Sequence, residues 1–139
     1  FAGCGTFSLP LARHAEVDAY EGDAALIAAL DAGWRGTGGA LRRTTAHRRD
    51  LFRQPLLPDE LAAFSAVVID PPRAGAEAQH AALADSTVPR IAAVSCNPVT
   101  FARDARRLAE GGYRLDFVQP VDQFRWSAHV ELAAQFTRV

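Results

Sequence analysis

Cys96 is the residue whose type and position most directly favour covalent chemistry. It stands in Ser95-Cys-Asn-Pro98, between a predicted strand and a predicted helix. Asn97 is a good N-cap and Pro98 suits the first helical position, so we expect the helix to begin there. The positive end of a helix dipole favours the thiolate form of a nearby cysteine. A lone cysteine is usually buried and inert, but this position favours a nucleophile.

Glu131 is a second residue capable of chemistry, because it is a carboxylate among apolar neighbours. It ends the stretch His129-Val-Glu131 and is followed by Leu-Ala-Ala. Strand alternation puts His129 and Glu131 on one face and Val130 on the other. A carboxylate that points inward needs a partner, whereas the strand pattern alone favours the exposed face of an edge strand. The pattern leaves both orientations of Glu131 open.

A glycine loop, Gly3-Cys-Gly5, opens the chain and precedes a predicted helix. Such a loop lets a ligand approach the backbone closely beside the helix N-terminus. The dinucleotide fingerprint requires a third glycine where Ser8 stands, which weakens the case for a pyrophosphate ligand. The loop suits S-adenosylmethionine, which carries no phosphate, but by itself it is more typical of a plain tight turn.

Three carboxylates follow predicted strands, where ligands bind in open α/β sheets. Glu21 could accept hydrogen bonds from both hydroxyls of a ribose, or it could be a surface residue in a turn. Asp50 could accept from an adenine amino group, or it could simply hold a turn. Asp70 ends a buried strand and is followed by Pro-Pro-Arg73, in which the two prolines make a rigid wall. Amino-group methyltransferases have an aromatic residue where Arg73 stands, which argues against that class.

Short strands alternate with helices along the chain, which predicts an α/β fold with a mostly parallel sheet. The predicted strands are 17–21, 41–46, 66–70, 91–95, 113–118 and 129–138, and the predicted helices are 6–14, 23–33, 58–64, 79–85 and 98–110. Thr6 is the expected cap of the first helix and Asp23 that of the second. A glycine loop of this kind normally follows the first, central strand, yet only Phe1-Ala2 precedes it. We therefore expect the first strand to be missing and residues 1–139, a single domain, to be the C-terminal part of a longer protein.

Composition narrows the class of protein further. The chain has 139 residues, of which 49% are hydrophobic, and this is the size and composition of one globular domain. It has neither an apolar run long enough to span a bilayer nor a signal segment, which predicts a soluble, cytoplasmic protein without a membrane partner. A count of two cysteines argues against a disulfide framework, and we assign no metal-binding residues. The net charge of −1 neither indicates nor excludes an RNA partner.

Taken together, these stretches resemble the RNA 5-methyluridine methyltransferases, which act on transfer RNA and ribosomal RNA. The stretches that match in order and spacing are residues 1–12, 70–73, 95–98, 102–104 and 129–131. The resemblance implies a Rossmann-like class I S-adenosylmethionine-dependent methyltransferase domain whose last strand is antiparallel. It also implies that S-adenosylmethionine is the cofactor, held by Phe1, Gly3, Gly5, Thr6, Glu21, Asp50 and Asp70.

The same resemblance implies catalytic roles for Cys96 and Glu131. C5 of uridine is too poor a nucleophile to take a methyl group directly, and addition of the Cys96 thiolate to C6 would activate it. The adduct must then lose the C5 proton, for which Glu131 is the implied base. The expected partner is therefore a tRNA or rRNA whose target base leaves its stack to reach the pocket.

One loop departs from the family pattern, and three other functions stay open. The family usually has Pro, then His or Asn, then Thr after an Asp-x-Phe, whereas residues 122–127 read Asp-Gln-Phe-Arg-Trp-Ser. This departure concerns the identity of the substrate more than the chemistry. The alternatives are an RNA 5-methylcytosine methyltransferase, an inactive fragment that binds RNA or S-adenosylmethionine, and a nucleotide-dependent oxidoreductase, which Ser8 disfavours.

Overall fold

Alternating short strands and helices make up most of the chain in a computed structural model that describes every residue from Phe1 to Val139. The chain divides into two units, Phe1–Gln54 and Pro55–Val139. The longest helix has 13 residues. None of the helices combines the length and the apolar character that crossing a bilayer requires.

The first unit contains a pair of parallel strands with two helices. Its elements are α1 (Ser8–Leu11), β1 (Val17–Glu21), α2 (Ala24–Arg35) and β2 (Thr44–Arg48). As predicted, Asp23 caps α2: its carboxylate accepts from the backbone N–H groups of Ala25 and Leu26, at 2.7 and 3.1 Å. The expectation that Thr6 caps the first helix is wrong. The cap position of α1 is Phe7, which makes no side-chain cap.

The second unit contains a four-stranded sheet. Its elements are α3 (Pro58–Leu61), β3 (Val67–Ile69), α4 (Glu77–Ala84), β4 (Arg90–Ser95), α5 (Pro98–Glu110), β5 (Tyr113–Val121) and β6 (Glu131–Arg138). The strand order is β3-β4-β6-β5. β3 and β4 are parallel, and β6 is antiparallel to both of its neighbours. The predicted antiparallel last strand is therefore confirmed, and it lies inside the sheet rather than at its edge.

Two boundaries of the last hairpin differ from the sequence prediction. β5 continues to Val121, and β6 begins at Glu131 rather than at His129. The backbone N–H of His129 donates to the Ser127 hydroxyl at 3.1 Å, so this segment closes a loop before the ladder begins. Trp126 in the same loop has a φ of 64°.

Burial along β6 follows the strand period. Leu132, Ala134 and Phe136 are buried, while Glu131 and Ala133 are only half-buried. The largest fully buried side chains of the second unit are Phe136, Leu61, Leu83, Ile91, Leu108 and Val88. The alternation predicted for this strand is confirmed, because the apolar side chains of one face form the core.

β5 forms an edge of this sheet and carries a bulge. Leu115 lies opposite Phe136 and Phe117 lies opposite Gln135, so Asp116 is an extra residue without a partner in the ladder. Its carboxylate accepts hydrogen bonds from Thr137, Gln135 and Arg114 side chains at 2.6, 3.1 and 2.9 Å. These bonds lower the pKa of Asp116, so the bulge carries a negative charge at neutral pH.

The buried face of β6 yields a prediction about stability. Phe136→Ala removes a ring that is 0% exposed and should lower the free energy of unfolding by about 3–5 kcal/mol, because the cavity cannot close fully. Phe117→Ala is the matched control, since that ring is 52% exposed, and it should cost no more than about 1 kcal/mol. Urea unfolding of the two variants measures the difference. Equal losses would contradict the assignment of Phe136 to the core.

Candidate functional site

A pocket of about 180 Å³ lies at one end of the four-stranded sheet. It is lined by Arg73, Cys96, Phe124, His129 and Glu131. These residues come from the loop after β3, the end of β4, the loop between β5 and β6, and the start of β6. The pocket therefore collects side chains that are far apart in the sequence.

Strand register brings the thiol and the carboxylate to the same place. Ser95, the last residue of β4, lies opposite Leu132 on the antiparallel β6. Cys96 comes directly after Ser95 and Glu131 directly before Leu132, so both are one residue further along the same end of the pair. Both line the pocket and both are half-buried. The edge-strand interpretation of Glu131 is wrong, because β6 has a neighbour on each side.

Backbone and side-chain hydrogen bonds hold the turn that contains Cys96. The Asn97 carboxamide oxygen accepts from the backbone N–H of Val99 at 3.1 Å, so Asn97 is the N-cap of α5 as predicted. The Ser95 hydroxyl accepts from the Asn97 backbone N–H at 3.1 Å and donates to the Asn97 carbonyl at 3.2 Å. Cys96 is thus held between the last residue of a strand and a helix cap.

Arg73 is fixed at both its backbone and its side chain. Its carbonyl accepts from the Asn97 carboxamide at 3.0 Å and from the Thr100 hydroxyl at 3.1 Å. Its guanidinium donates to Nδ1 of His129 at 3.0 Å. The guanidinium is the donor of this bond because arginine has no acceptor, so Arg73 brings a positive charge to the pocket beside the ring of His129.

A buried carboxylate on α5 holds the loop that carries Arg73. Asp104 is 3% exposed, and its Oδ2 accepts from the backbone N–H of Ala76 at 3.0 Å. Its Oδ1 accepts from the guanidinium of Arg103 at 2.7 and 2.8 Å. Gly75 has a φ of 75°, and a Cβ there would lie 2.6 Å from both Asp104 Oδ2 and the Arg103 guanidinium. The close approach of this loop to α5 therefore requires a glycine.

His80 lies in the same buried cluster but outside the pocket. It is 4% exposed, and its Nδ1–H donates to the Ala76 carbonyl at 2.9 Å. Burial lowers the pKa of His80, although the Ala76 carbonyl and the nearby Asp104 carboxylate act in the opposite direction. His80 is consequently a neutral core residue that supports the loop.

Asp70 follows β3, and its carboxyl group interacts electrostatically with Glu131. Its side chain is half-buried. Burial, together with the negative charge of Glu131, raises the pKa of Asp70. The end of the sheet that carries Cys96 therefore also brings two carboxylates within electrostatic reach of each other, which makes it a favourable place for a cation.

In the first unit, Glu21 is joined to the glycine loop. Its carboxylate accepts from the backbone N–H groups of Gly3, Gly22 and Asp23, at 3.0, 2.7 and 3.0 Å. Burial would raise the pKa of Glu21, but the hydrogen bonds from these N–H groups outweigh that effect and lower the pKa. Gly3 and Gly5 have φ values of 55° and 100°, which side chains disfavour. Glu21 is thus an ionised acceptor against the loop rather than a free surface residue.

The other residues predicted in the first unit have varied surroundings. The ring of Phe1 packs edge-on against Phe52, with centroids 5.1 Å apart. Oδ1 of Asp50 accepts from the backbone N–H groups of Phe52 and Arg53, at 3.0 and 3.3 Å, so this carboxylate holds a turn. Thr6 is exposed. The turn-holding role that the sequence allowed for Asp50 is the one seen here.

The residues predicted from the sequence fall into two sets. The first unit contains Phe1, Gly3, Gly5, Thr6, Glu21 and Asp50, and the second unit contains Asp70, Cys96 and Glu131. Sequence reasoning did not assign Arg73, Phe124 or His129 to the pocket. Two of them could have been found from the sequence: Phe124 as an aromatic residue in the loop that precedes Glu131, and Arg73 as an arginine directly after a strand-ending Asp-Pro-Pro.

Comparison with known proteins connects this geometry to a family. Residues 39–139 match the family model described as tRNA (uracil-5-)-methyltransferase. An uncharacterized RNA methyltransferase of Mesorhizobium japonicum is 59% identical over 134 residues, which is 96% of this chain and 32% of that protein. The 23S rRNA (uracil(1939)-C(5))-methyltransferase RlmD of Chromohalobacter salexigens is 44% identical over 99% of this chain and 28% of its own length. The chain thus spans about a third of the curated relatives that it matches.

Solved structures agree with the fold. The tRNA (uracil-54, C5)-methyltransferase of Pyrococcus abyssi, solved in complex with S-adenosyl-L-homocysteine, is similar with a TM-score of 0.82 and 29% identity. The similarity covers 98% of this chain and 32% of that one. An S-adenosylmethionine-dependent O-methyltransferase of Thermotoga maritima has a TM-score of 0.70 at 18% identity, over 99% of this chain and 57% of its own. The predicted Rossmann-like class I methyltransferase fold is confirmed.

The contact between α5 and the Arg73 loop yields a prediction about stability. Asp104→Ala leaves the buried Ala76 N–H without its acceptor and should lower the free energy of unfolding by about 2–3 kcal/mol. Arg106→Ala is the control on the same helix, because it breaks only an exposed pair with Glu110 and should cost about 0.5 kcal/mol or less. Urea unfolding compares the two variants. A loss for Asp104→Ala no larger than that of the control would contradict the structural role of this carboxylate.

Proposed function

The chain belongs to the tRNA (uracil-5-)-methyltransferase family, and we propose that it transfers a methyl group from S-adenosylmethionine to C5 of a uridine in RNA. The observation that carries the proposal is the meeting of Cys96 and Glu131 in one pocket, at the end of the β4–β6 pair. A nucleophile and a base are the two groups that this reaction needs. Both are held by strand and helix ends rather than by long flexible segments.

The proposed reaction begins with the thiolate of Cys96. Its sulfur forms a bond to C6 of the uracil, and the electrons of the C5–C6 double bond move toward O4, which makes C5 a nucleophile. S-adenosylmethionine supplies the electrophilic methyl group. C5 would take that methyl group, with S-adenosyl-L-homocysteine as the leaving group, and Glu21 and Asp70 are among the residues that would hold the cofactor.

Glu131 has the second role in the proposal. Its carboxylate takes the proton from C5, and the electrons of that C–H bond restore the double bond and expel the Cys96 thiolate from C6. The position of Glu131 beside Cys96 in the register suits consecutive steps on adjacent ring carbons. The guanidinium of Arg73 lies in the same pocket and would stabilise the negative charge that develops on the uracil oxygen.

We propose cofactor contacts for each unit by itself. In the first unit Glu21, already an ionised acceptor against the glycine loop, would receive the two ribose hydroxyls. The candidate contacts in that unit are Phe1, Gly3, Gly5, Thr6, Glu21 and Asp50. A Cβ added at Gly3 would meet no atom within 4 Å, so the loop is open to a ligand. In the second unit Asp70, together with Glu131, provides negative charge that suits a sulfonium cation.

The substrate in this proposal is a tRNA or an rRNA. One relative is named for a uracil of 23S rRNA and one solved neighbour for a uracil of tRNA. The Cys96 thiolate has to approach C6 from the face of the uracil ring, which a stacked neighbour would cover. The target uridine would therefore have to leave its stack before it meets Cys96. We also propose that residues 1–139 act together as one catalytic domain.

The consecutive roles of Cys96 and Glu131 predict different fates for the adduct. Glu131→Gln keeps the shape but loses the base, so a methylated covalent protein–RNA adduct should accumulate on ordinary RNA. Cys96→Ala should form no adduct, even with RNA that carries 5-fluorouridine, because no sulfur attacks C6. Wild-type protein should be trapped by 5-fluorouridine after methyl transfer, because fluorine cannot leave C5 as a proton does. Denaturing gels and mass spectrometry of the linked nucleotide measure these outcomes.

Glu77→Gln serves as the matched control for this experiment. Glu77 is a carboxylate of the same unit whose side chain is 76% exposed and whose ion pair is with Arg103. It should turn over like the wild type and accumulate no adduct on ordinary RNA. If Cys96→Ala still forms an adduct, or if Glu131→Gln completes the reaction at the wild-type rate, the assignment of roles is wrong. A methylated cytidine in the product would identify the 5-methylcytosine alternative.

The Glu21 carboxylate yields a prediction about cofactor affinity. Glu21→Gln keeps an oxygen acceptor but loses the charge, and hydrogen bonds to charged groups contribute about 1.5–3 kcal/mol. We therefore expect S-adenosylmethionine to bind roughly 10- to 150-fold more weakly, as measured by calorimetry. Glu16→Gln is the control, since Glu16 pairs with Arg43 at the surface and should leave the affinity unchanged. If Glu21→Gln binds S-adenosylmethionine as tightly as the wild type, Glu21 is not a cofactor contact and only holds the glycine loop.

A further inference from the structure

The loop between β5 and β6 exposes an unusual tryptophan. Trp126 has a relative accessibility of 102%, so its whole indole faces water. Its φ of 64° makes it the one residue other than glycine with positive φ in the chain. A bulky residue in this region of backbone space is a true outlier, and such outliers cluster where a side chain is presented to a ligand.

Trp126 stands beside the pocket along the chain. Phe124, two residues earlier, lines the pocket together with Cys96 and Glu131. Two residues span at most about 7 Å, so the indole is attached near the pocket mouth. A ligand that fills the pocket and extends beyond it would meet this side chain first.

We propose that Trp126 stacks on a base adjacent to the target uridine and so helps select RNA in which the target lies in a single-stranded segment. The inference rests on the proposed function, because the pocket must hold a nucleotide of an RNA strand. A base drawn out of its stack leaves its neighbours with an uncovered face, and an exposed indole can cover that face. Phe124 would then contact the target base, and Trp126 the neighbour.

The alternation of arginine with aromatic residues in this loop favours a nucleic acid over a protein as the occupant. Arg125 stands between the two aromatic residues and is exposed, and Arg73 adds positive charge inside the pocket. The acidic groups of this region are Asp122 at the start of the loop, Glu131 in the pocket, and Asp70, whose pKa the charge of Glu131 helps to raise. Alternation of aromatic side chains with arginine is the pattern by which proteins bind single strands, through stacking and phosphate contacts.

A fluorescence titration tests whether the indole meets a base. The chain has two tryptophans, and the indole N–H of the other, Trp34, donates to the Arg42 carbonyl at 2.9 Å. Trp34→Phe leaves Trp126 as the single fluorophore. A single-stranded adenosine oligoribonucleotide with one central uridine should quench it. The same oligonucleotide with abasic sites on both sides of the uridine should quench it far less, and equal quenching by the two would overturn the proposal.

Binding measurements separate stacking from mere proximity. Stacking of one base on an aromatic side chain corresponds to a loss of about fivefold to 150-fold in affinity on truncation. Trp126→Ala should weaken binding of the uridine oligonucleotide by that factor, and Trp126→Phe should retain most of the affinity. Phe117→Ala, which removes another exposed aromatic ring of the same unit, should leave the affinity unchanged. Calorimetry with S-adenosylmethionine should give the same affinity for all of these variants.

The outcomes distinguish this inference from the proposed function. If wild-type protein forms the covalent adduct with 5-fluorouridine RNA but Trp126→Ala binds the oligonucleotide as tightly as wild type, the stacking role is wrong and the proposed function stands. If the indole is quenched by the neighbouring bases but no adduct or methylated uridine ever forms, the proposed function is wrong and the RNA contact stands. A Trp126→Ala variant with unchanged RNA affinity would leave a protein partner as the occupant of this loop and would overturn the proposal.

Discussion

The candidate site depends on the antiparallel pairing of β4 with β6, because the register of this pair determines which residue lies beside the thiol of Cys96. In a strand pair, a slip of one residue turns every side chain to the opposite face. Here a slip would expose Phe136, which is fully buried opposite Ile91, and would bury the charged end of β6. The packing of the core therefore fixes the register, and the register in turn fixes Glu131 beside Cys96. The arrangement of Cys96 and Glu131 at the end of the sheet therefore depends on the burial of Phe136 within the sheet.

Helix α5 adds a second constraint to the same region. Its first turn closes the segment that contains Cys96, while Asn97 and Thr100 also hold the carbonyl of Arg73. One turn later, Asp104 binds the backbone of the same loop, and the approach is so close that only glycine fits at position 75. The nucleophile and the arginine are thus positioned by one rigid element, so that a change in the helix would move both together.

Local signals in the sequence were sufficient for the order of the elements, and they made Cys96 and Glu131 candidate residues for chemistry. The helix 98–110 was predicted with its boundaries, because its cap, its proline and its closing glycines are all local features. The orientation of Glu131 was not predictable in the same way, since it depends on which strands flank β6. Arg73 and His129 were not assigned to the pocket for a similar reason. They are 56 residues apart and meet only through the order of the strands. Thr6 was expected to cap a helix from its residue type, but the chain turns once more before α1 begins.

The bulge on β5 has a consequence for the behaviour of the protein at high concentration. β5 is an edge of its sheet and exposes Leu115, Phe117, Val118 and Val121, a composition that would invite edge-to-edge pairing with another chain. Asp116 interrupts the regular hydrogen-bonding row in the middle of this strand and holds a charge there through its three side-chain bonds. A second strand that docked along β5 would meet a break in register and an ionised carboxylate at once. The irregularity therefore acts as protection against aggregation, built into the strand that most needs it.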